Sequence, residues 1–316
     1  MMAKTMVIAL GRGDLGETLE AQYEAVRRTA VPISRLAREG WKIALTFSNS
    51  HWAGVIYTAM KADAGTDPGK PYQRFPLSVA SAMSQALIGY DLQNAIRTAC
   101  LRMGLQITVS TVLTQVSVSP YDASFYRPNK EIGKILTEEE ALLEEDLGNQ
   151  VKKLRDGQFR RVVPSPVPET VVELDAIKAL IDHGAIVIAA GGGGIPVLPE
   201  GLDLRGSAAI IEKDLTASLL ARNLGADVLL LSTSVPHVSV SYRQETQRDI
   251  SRMSPEQAEA LIEAGEFSEG TMRPKVEAAA AFARSGKGRR GIITTLSLAG
   301  MALAGEAGTT IQIQEA

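Results

Sequence analysis

Four consecutive glycines, Gly191 to Gly194, follow the apolar run Ala185-Ile186-Val187-Ile188-Ala189-Ala190 and end at once in Ile195-Pro196. Glycines that close a β-branched strand leave backbone N–H groups uncovered by any Cβ, so a phosphate or carboxylate can approach the main chain closely. A flexible linker would not grow out of a buried strand and stop at Ile-Pro. Anion binding is therefore the first chemistry this chain offers. Other chemistries find less support. Cys100 is the only cysteine and sits in an apolar helical pattern, which excludes an internal disulfide and a cysteine-based zinc site. His51 and Trp52 invite a catalytic or stacking reading, yet no Ser/His/Asp or Cys/His arrangement accompanies them in sequence.

The elements that must position these residues alternate between apolar strand-like runs and amphipathic helical stretches, the pattern of a parallel sheet covered on both faces. Strands are predicted at 5–10, 42–47, 106–113, 185–190, 227–232 and 291–296, and helices at 15–38, 79–103, 174–183, 215–224, 255–264 and 275–283. Lys213 or Asp214 would start one helix, and Gly184 stands where a C-terminal glycine closes another. No internal repeat interrupts the pattern. From about Val118 to Pro168 the alternation breaks, with Pro120, Pro128, an acidic helix at 138–145 and the run Arg160-Arg161-Val162-Val163-Pro164-Ser165-Pro166-Val167-Pro168. Such an insertion suits a lid or small lobe rather than a sheet element, or else a solvated excursion without a role.

At 316 residues, 45% hydrophobic and 22% charged, the chain can bury one large core or two modest ones. A net charge of −3 gives no basic excess to recruit nucleic acid. The apolar run Met6 to Leu10 is too short for a signal peptide, and no stretch reaches the roughly 20 apolar residues of a membrane span. A cytoplasmic enzyme-sized protein with no membrane or nucleic-acid partner is expected.

Several runs together, in order, resemble carbamate kinases: Leu113-Thr114-Gln115-Val116, Asp156-Gly157-Gln158-Phe159-Arg160-Arg161-Val162-Val163-Pro164-Ser165-Pro166, Ile188 to Pro196, Lys213-Asp214-Leu215 and Pro274-Lys275-Val276-Glu277. The resemblance runs from the first strand to Ala307-Gly308-Thr309. It implies one domain over 1–316 with the amino acid kinase fold, an α/β three-layer αβα sandwich around a mainly parallel sheet, and a lid lobe at 118–168. It also implies a homodimer, formed through a region like the helix containing Leu77, Ile88, Gly89 and Tyr90, that transfers phosphate between ATP and carbamate or from carbamoyl phosphate to ADP, with Mg2+. No protein metal ligands are assigned.

In-line phosphoryl transfer spreads negative charge over the moving oxygens, which fixed cations, backbone N–H groups and magnesium stabilise. Three lysines match family positions. Lys130 would reach from the lid toward the acceptor, Lys213 would bridge the phosphates with Asp214 orienting the cations, and Lys275 would hold the outer phosphates of the nucleotide. Gly11, Arg12, Gly13, Asn49, Ser50, Gly191, Gly192 and Gly193 are the matching substrate and phosphate positions, and Thr233, Ser234 and Met272 join Lys275 on the nucleotide side.

The departures from the family pattern gather in the same loops. The family's Gly-Gly-Asn-Ala is Gly11-Arg12-Gly13-Asp14 here, so a long side chain either blocks the site or supplies a cation, and Asp14 does not replace the lost amide donor. His-Gly-Asn-Gly becomes Phe47-Ser48-Asn49-Ser50, Lys-Pro-Ile-Gly becomes Lys130-Glu131-Ile132-Gly133, and Thr-Asp-Val-Asp becomes Thr233-Ser234-Val235-Pro236. Gly-Ser-Met-Gly-Pro-Lys becomes Gly270-Thr271-Met272-Arg273-Pro274-Lys275, and Pro-Leu-Asp-Val becomes Pro76-Leu77-Ser78-Val79. Losing carboxylates and gaining arginines favours an anion and disfavours a magnesium ion that needs oxygen ligands. Two readings follow: a carbamate kinase-like phosphotransferase with a remodelled acceptor, or a non-phosphorylating homologue that binds an anion, carbamoyl compound or nucleotide as a partner subunit, sensor or ATP-independent enzyme.

Overall fold

A computed structural model of the protein describes residues 4–63, 76–154 and 157–314; Asp156 of the resembling run lies outside the described residues. The central sheet has eight strands: β1 (Thr5–Leu10), β2 (Lys42–Phe47), β3 (Val109–Thr111), β4 (Ile186–Ile188), β5 (Val228–Ser232), β6 (Arg252–Met253), β7 (Arg290–Thr294) and β8 (Thr309–Ile311). Their spatial order is β6-β8-β7-β5-β1-β2-β4-β3, with β7 and β8 antiparallel and every other neighbouring pair parallel. At the centre, Met6 of β1 lies between Ile43 and Val228.

Alternate residues of these strands supply two cores, as the pleat requires. Val7, Ala9, Ala44, Leu229 and Leu231 face helices α5 (Leu174–Asp182), α6 (Lys213–Asn223), α7 (Pro255–Glu263) and α8 (Met272–Arg284). Met6, Ile8, Leu10, Ile43, Leu45 and Leu230 face α1 (Leu19–Arg38), α3 (Leu77–Arg102) and α9 (Ala299–Ala304). The result is the expected αβα sandwich. Strands buried on both faces read as continuous apolar runs, which is why the sequence reveals them.

Element ends differ from the sequence reading where local bonds intervene. Arg12–Asp14 forms a short 3-10 turn, so α1 begins only at Leu19, after Thr18 accepts a hydrogen bond from Ala21 N. The predicted strand over 106–113 is only Val109–Thr111. Helix α2 (Ser50–Asp63) was not expected, and it places His51 and Trp52 on a helix. The insertion over 118–168 departs further, because it contains a three-stranded antiparallel sheet (Lys130–Leu136, Gln150–Lys153 and Phe159–Val163) with helix α4 (Glu138–Asp146) against it. Of the four residues named on the helix that resembles the dimer region, Leu77, Ile88 and Gly89 are buried within this chain and only Tyr90 is exposed. Among the described residues no helix is long and apolar enough to cross a membrane.

The glycine run is as much a packing device as a ligand-facing loop. Ala190 adopts φ +52° and Gly192 to Gly194 all have positive φ. A Cβ on Gly193 would lie 2.5 Å from the Ile211 carbonyl oxygen. Gly193→Ala is therefore expected to lower the free energy of unfolding by about 3 kcal/mol, combining left-handed strain with a backbone collision. Gly201→Ala, with positive φ but nothing within 4 Å, should cost only about 1 kcal/mol. Urea unfolding of the two variants measures the difference.

Candidate active site

The carboxyl ends of β1, β2 and β5 open onto one chamber, at the point where β1 has β2 on one side and β5 on the other. Open α/β sheets bind ligands at such a switch in strand order. The chamber has a volume of about 490 Å³. Helices α2, α6 and α8 start at its wall, with Ser50, Lys213 and the first turn of α8 among the lining residues. Helix N-termini carry partial positive charge and unpaired N–H groups, so the wall is suited to anions before any side chain is counted.

Three buried side chains from two helices form the centre. Asp214, in the first turn of α6, accepts hydrogen bonds from Lys213 Nζ at 2.5 Å and from Lys275 Nζ, in the first turns of α8, at 2.8 Å. All three are buried. Burial alone would raise the Asp214 carboxyl, but the two ammonium groups overcome it and hold the group at about 2. Burial pushes the Lys213 ammonium down to about 8; the nearby charge of Lys275 acts in the same direction and Asp214 opposes both. One carboxylate thus holds two cations side by side at the chamber wall.

Lys130 reaches the chamber from the first strand of the three-stranded sheet and pairs with Glu212, the residue before α6. Arg12 does not block the site: its guanidinium turns to Glu17, 2.7 Å away, with both side chains more than half exposed. Gly11, Gly13, Ser50, Thr233 and Ser234 all line the chamber. Asn49 also lines it, but its side-chain amide donates to Ser84 Oγ at 2.8 Å and packs against Gly192. Of Gly191, Gly192 and Gly193, only Gly192 borders the chamber. Gly191 lies on the Phe47 ring and its carbonyl accepts from Gln85 Nε2 at 2.9 Å, while the Gly193 carbonyl accepts from Thr216 Oγ1.

Met272 faces a second, adjoining chamber of about 540 Å³ that shares Thr233, Ser234 and Thr271 with the first. Its walls include Val235, Tyr242 and Phe267. The first chamber is rich in lysines, whereas the second, among the described residues, has no lysine or arginine in its wall and mixes Val235, Tyr242, Phe267 and Met272 with hydroxyl side chains and the Glu266 carboxylate. Such a division is suited to a ligand with an anionic end and an aromatic end that carries hydrogen-bonding groups.

Sequence reasoning left Asp14, Ser232 and Glu212 out of the site. The Asp14 carboxylate accepts the Gly11 N–H at 2.7 Å and lines the chamber. Burial raises it above the usual carboxylate range, against the pull of Ser232, the Gly11 N–H and the two lysines. The Ser232 hydroxyl is buried at the chamber wall beside the Asp14 carboxylate. A strand-end serine after an apolar run was the only signal available for it.

A three-layer α/β protein with a lysine-rich anion chamber at its strand ends is the class that the fold and site define. The amino acid kinase family model matches residues 4–295, and the chain belongs to that family, in its carbamate kinase group. It is 43% identical over 310 residues to the carbamate kinase-like protein YqeA of Escherichia coli K12, covering 98% of this chain and 99% of that one. It is 40% identical over 312 residues to a carbamate kinase of Clostridium perfringens, covering 97% and 99%. Among solved structures, carbamate kinase from Giardia lamblia bound to AMP-PNP superimposes with a TM-score of 0.90 at 36% identity, over 98% of this chain and 99% of that one.

Removing the shared carboxylate leaves two buried ammonium groups uncompensated. Asp214→Ala should destabilise the protein by about 3–5 kcal/mol in urea unfolding; a loss below about 1 kcal/mol would mean that the three groups are not coupled.

Proposed function

We propose that the protein is a phosphotransferase of the carbamate kinase type, moving a phosphoryl group between ATP or ADP and a small carboxylate or carbamoyl acceptor. The observation that carries this reading is the pair of buried lysines on Asp214 in a lysine-rich chamber that adjoins one lined by Tyr242, Phe267 and Met272. Bound nucleotide supplies or accepts the phosphoryl group. Tyr242, Phe267 and Met272 would enclose the base and ribose, and Lys275 the outer phosphates. Lys213 then lies next to the bridge between donor and acceptor oxygens, where charge develops. Asp214 keeps the two cations in place. Ser232 and the Gly11 loop offer hydrogen-bond groups to the acceptor, and Lys130 brings a third cation from the 118–168 segment, which we read as a lid.

The donor set suits magnesium only in part. Among the described residues no group of three or more Asp, Glu, His or Cys side chains converges to hold a metal ion. Glu212 and Asp214 are tied to lysines, which leaves Asp14 as the carboxylate of the chamber facing no lysine at bonding distance. Magnesium keeps several waters and binds through one or two carboxylates plus substrate phosphates, so Asp14 would be its contact on the protein. A homodimer through the α1–α3 face is the proposed assembly, supported by exposed Tyr23, Met83 and Tyr90 there.

One observation favours a second reading. Asp14 already occupies the Gly11 N–H and brings negative charge near Lys213 and Lys275, as a bound anion would. Under that reading the chain binds nucleotide or anion without turnover.

A coupled assay of ATP formed from carbamoyl phosphate and Mg-ADP separates the two. Turnover is expected, and Lys213→Ala should reduce it by at least about 100-fold. A flat trace from the unaltered protein, with calorimetric ADP binding intact, would establish the second reading. The Lys213 cation is present below its value of about 8 and lost above it, so kcat/KM for ADP should fall as pH rises through about 8. A profile flat to pH 9.5 would contradict the assignment of Lys213.

A further inference from the structure

A third chamber of about 450 Å³ adjoins the cationic one and shares Arg12 and Ser50 with it. It lies between α2 and the three-stranded sheet. Gly54 comes so close to Gly133 that a Cβ there would lie 3.4 Å from the neighbouring backbone. Val55, Thr58, Ala59 and Ile132 give it an apolar and hydroxyl wall, which is suited to a short carbon chain. Carbamate, which carries only an amino group on its reacting carboxylate, has no carbon chain to place there.

The charged groups around this chamber are unbalanced. Among the described residues Arg12, Lys134 and Arg160 line it with one carboxylate, Glu131; Lys134 pairs with Glu140, which leaves the two guanidinium groups to face the cavity. Arg160 Nη2 donates to the Gly133 carbonyl at 3.1 Å and Nη1 lies 3.5 Å from Glu131, but Nε is buried with no partner among the described residues. A buried N–H without an acceptor is costly, and an incoming carboxylate would relieve it. Among the described residues Arg12 pairs with Glu17 alone, an exposed interaction worth little in water, so its guanidinium can turn inward. Guanidinium groups suit carboxylates because their paired N–H groups match the two oxygens.

The geometry points to an acceptor with two anionic ends: one carboxylate or carbamate in the lysine chamber, and a second carboxylate, a short carbon chain away, held in the side chamber by Arg12 and Arg160. The chemical class is a small dicarboxylate or an N-carboxylated amino acid, phosphorylated at the end near Lys213. This inference rests on the phosphotransferase reading for which end reacts, and on the side chamber alone for the second carboxylate. Arg12, one of the departures from the family's glycine pattern, becomes a specificity residue. A ligand spanning both chambers would also join α2 to the three-stranded sheet.

Calorimetric titration of the full chain with malonate, succinate and acetate, without nucleotide or magnesium, reads the side chamber directly. At least one dicarboxylate should bind 10-fold or more tightly than acetate. Arg12→Gly and Arg160→Gln should each bring the ratio of dicarboxylate to acetate affinity within about twofold of one. Arg205→Gln, which removes a surface arginine paired with Glu200, should leave that ratio where it was. Equal affinity for acetate and both dicarboxylates, or a preference that survives both Arg12→Gly and Arg160→Gln, would overturn the proposal. Each variant is checked by urea unfolding, and if one fails to fold the other still decides. Failure of the phosphotransferase reading shows separately, as absent ATP formation with the dicarboxylate preference intact.

Discussion

The Asp214 carboxylate between Lys213 and Lys275 is the interaction on which the site depends. Burial and the neighbouring Lys275 charge both push the Lys213 ammonium toward losing its proton; a single buried carboxylate, bonded to both lysines, opposes that loss. The arrangement is marginal by design of its burial, since Lys213 sits only about one unit above neutral pH. A phosphate entering the chamber adds negative charge beside the lysines and strengthens the hold of Lys213 on its proton. Ligand and cradle therefore stabilise each other.

That constraint explains why the fold is arranged as it is. Asp214 and Lys275 are far apart in sequence, and they meet because α6 and α8 pack side by side on one face of the sheet, with Ala217, Ala221, Val276 and Ala280 in the same buried cluster. Small residues on both helices allow the close approach. The same face positions the N-termini of both helices at the strand ends, where Gly11 and Ser232 complete the wall. Gln85 of α3 fixes the opposite wall, bonding both Thr114 and the Gly191 carbonyl, so the glycine turn is held from behind.

The parallel core was legible in the sequence because strands buried on both faces must be apolar at every position. The matched runs around Lys213 and Lys275 were legible as a resemblance, and the structure brings those residues together. Other features had no local signature. Helix α2 mixes Gly54, β-branched Val55 and Ile56 with polar residues, so its period is weak. The strand Lys130–Leu136 carries a register shift between Ile132 and Ile135, which breaks the alternation that would have announced a sheet. Arg12 read as an obstruction because sequence gives no direction to a side chain; Glu17, five residues on, draws it to the rim. Three glycines were assigned to the ligand because a missing Cβ suggests access, yet Phe47 and the Ile211 backbone take the space beside Gly191 and Gly193. The side chamber depends on contacts between α2 and the inserted sheet, which no motif encodes.

The central claim is that the Asp214-centred lysine pair holds the phosphates of a nucleotide whose base lies in the neighbouring chamber. A crystal structure of the protein grown with Mg-ADP tests it most directly. The account predicts diphosphate oxygens within hydrogen-bond distance of Nζ of Lys213 or Lys275 and the adenosine between Tyr242, Phe267 and Met272. A diphosphate bound away from both lysines, or an adenosine outside that chamber, would contradict it.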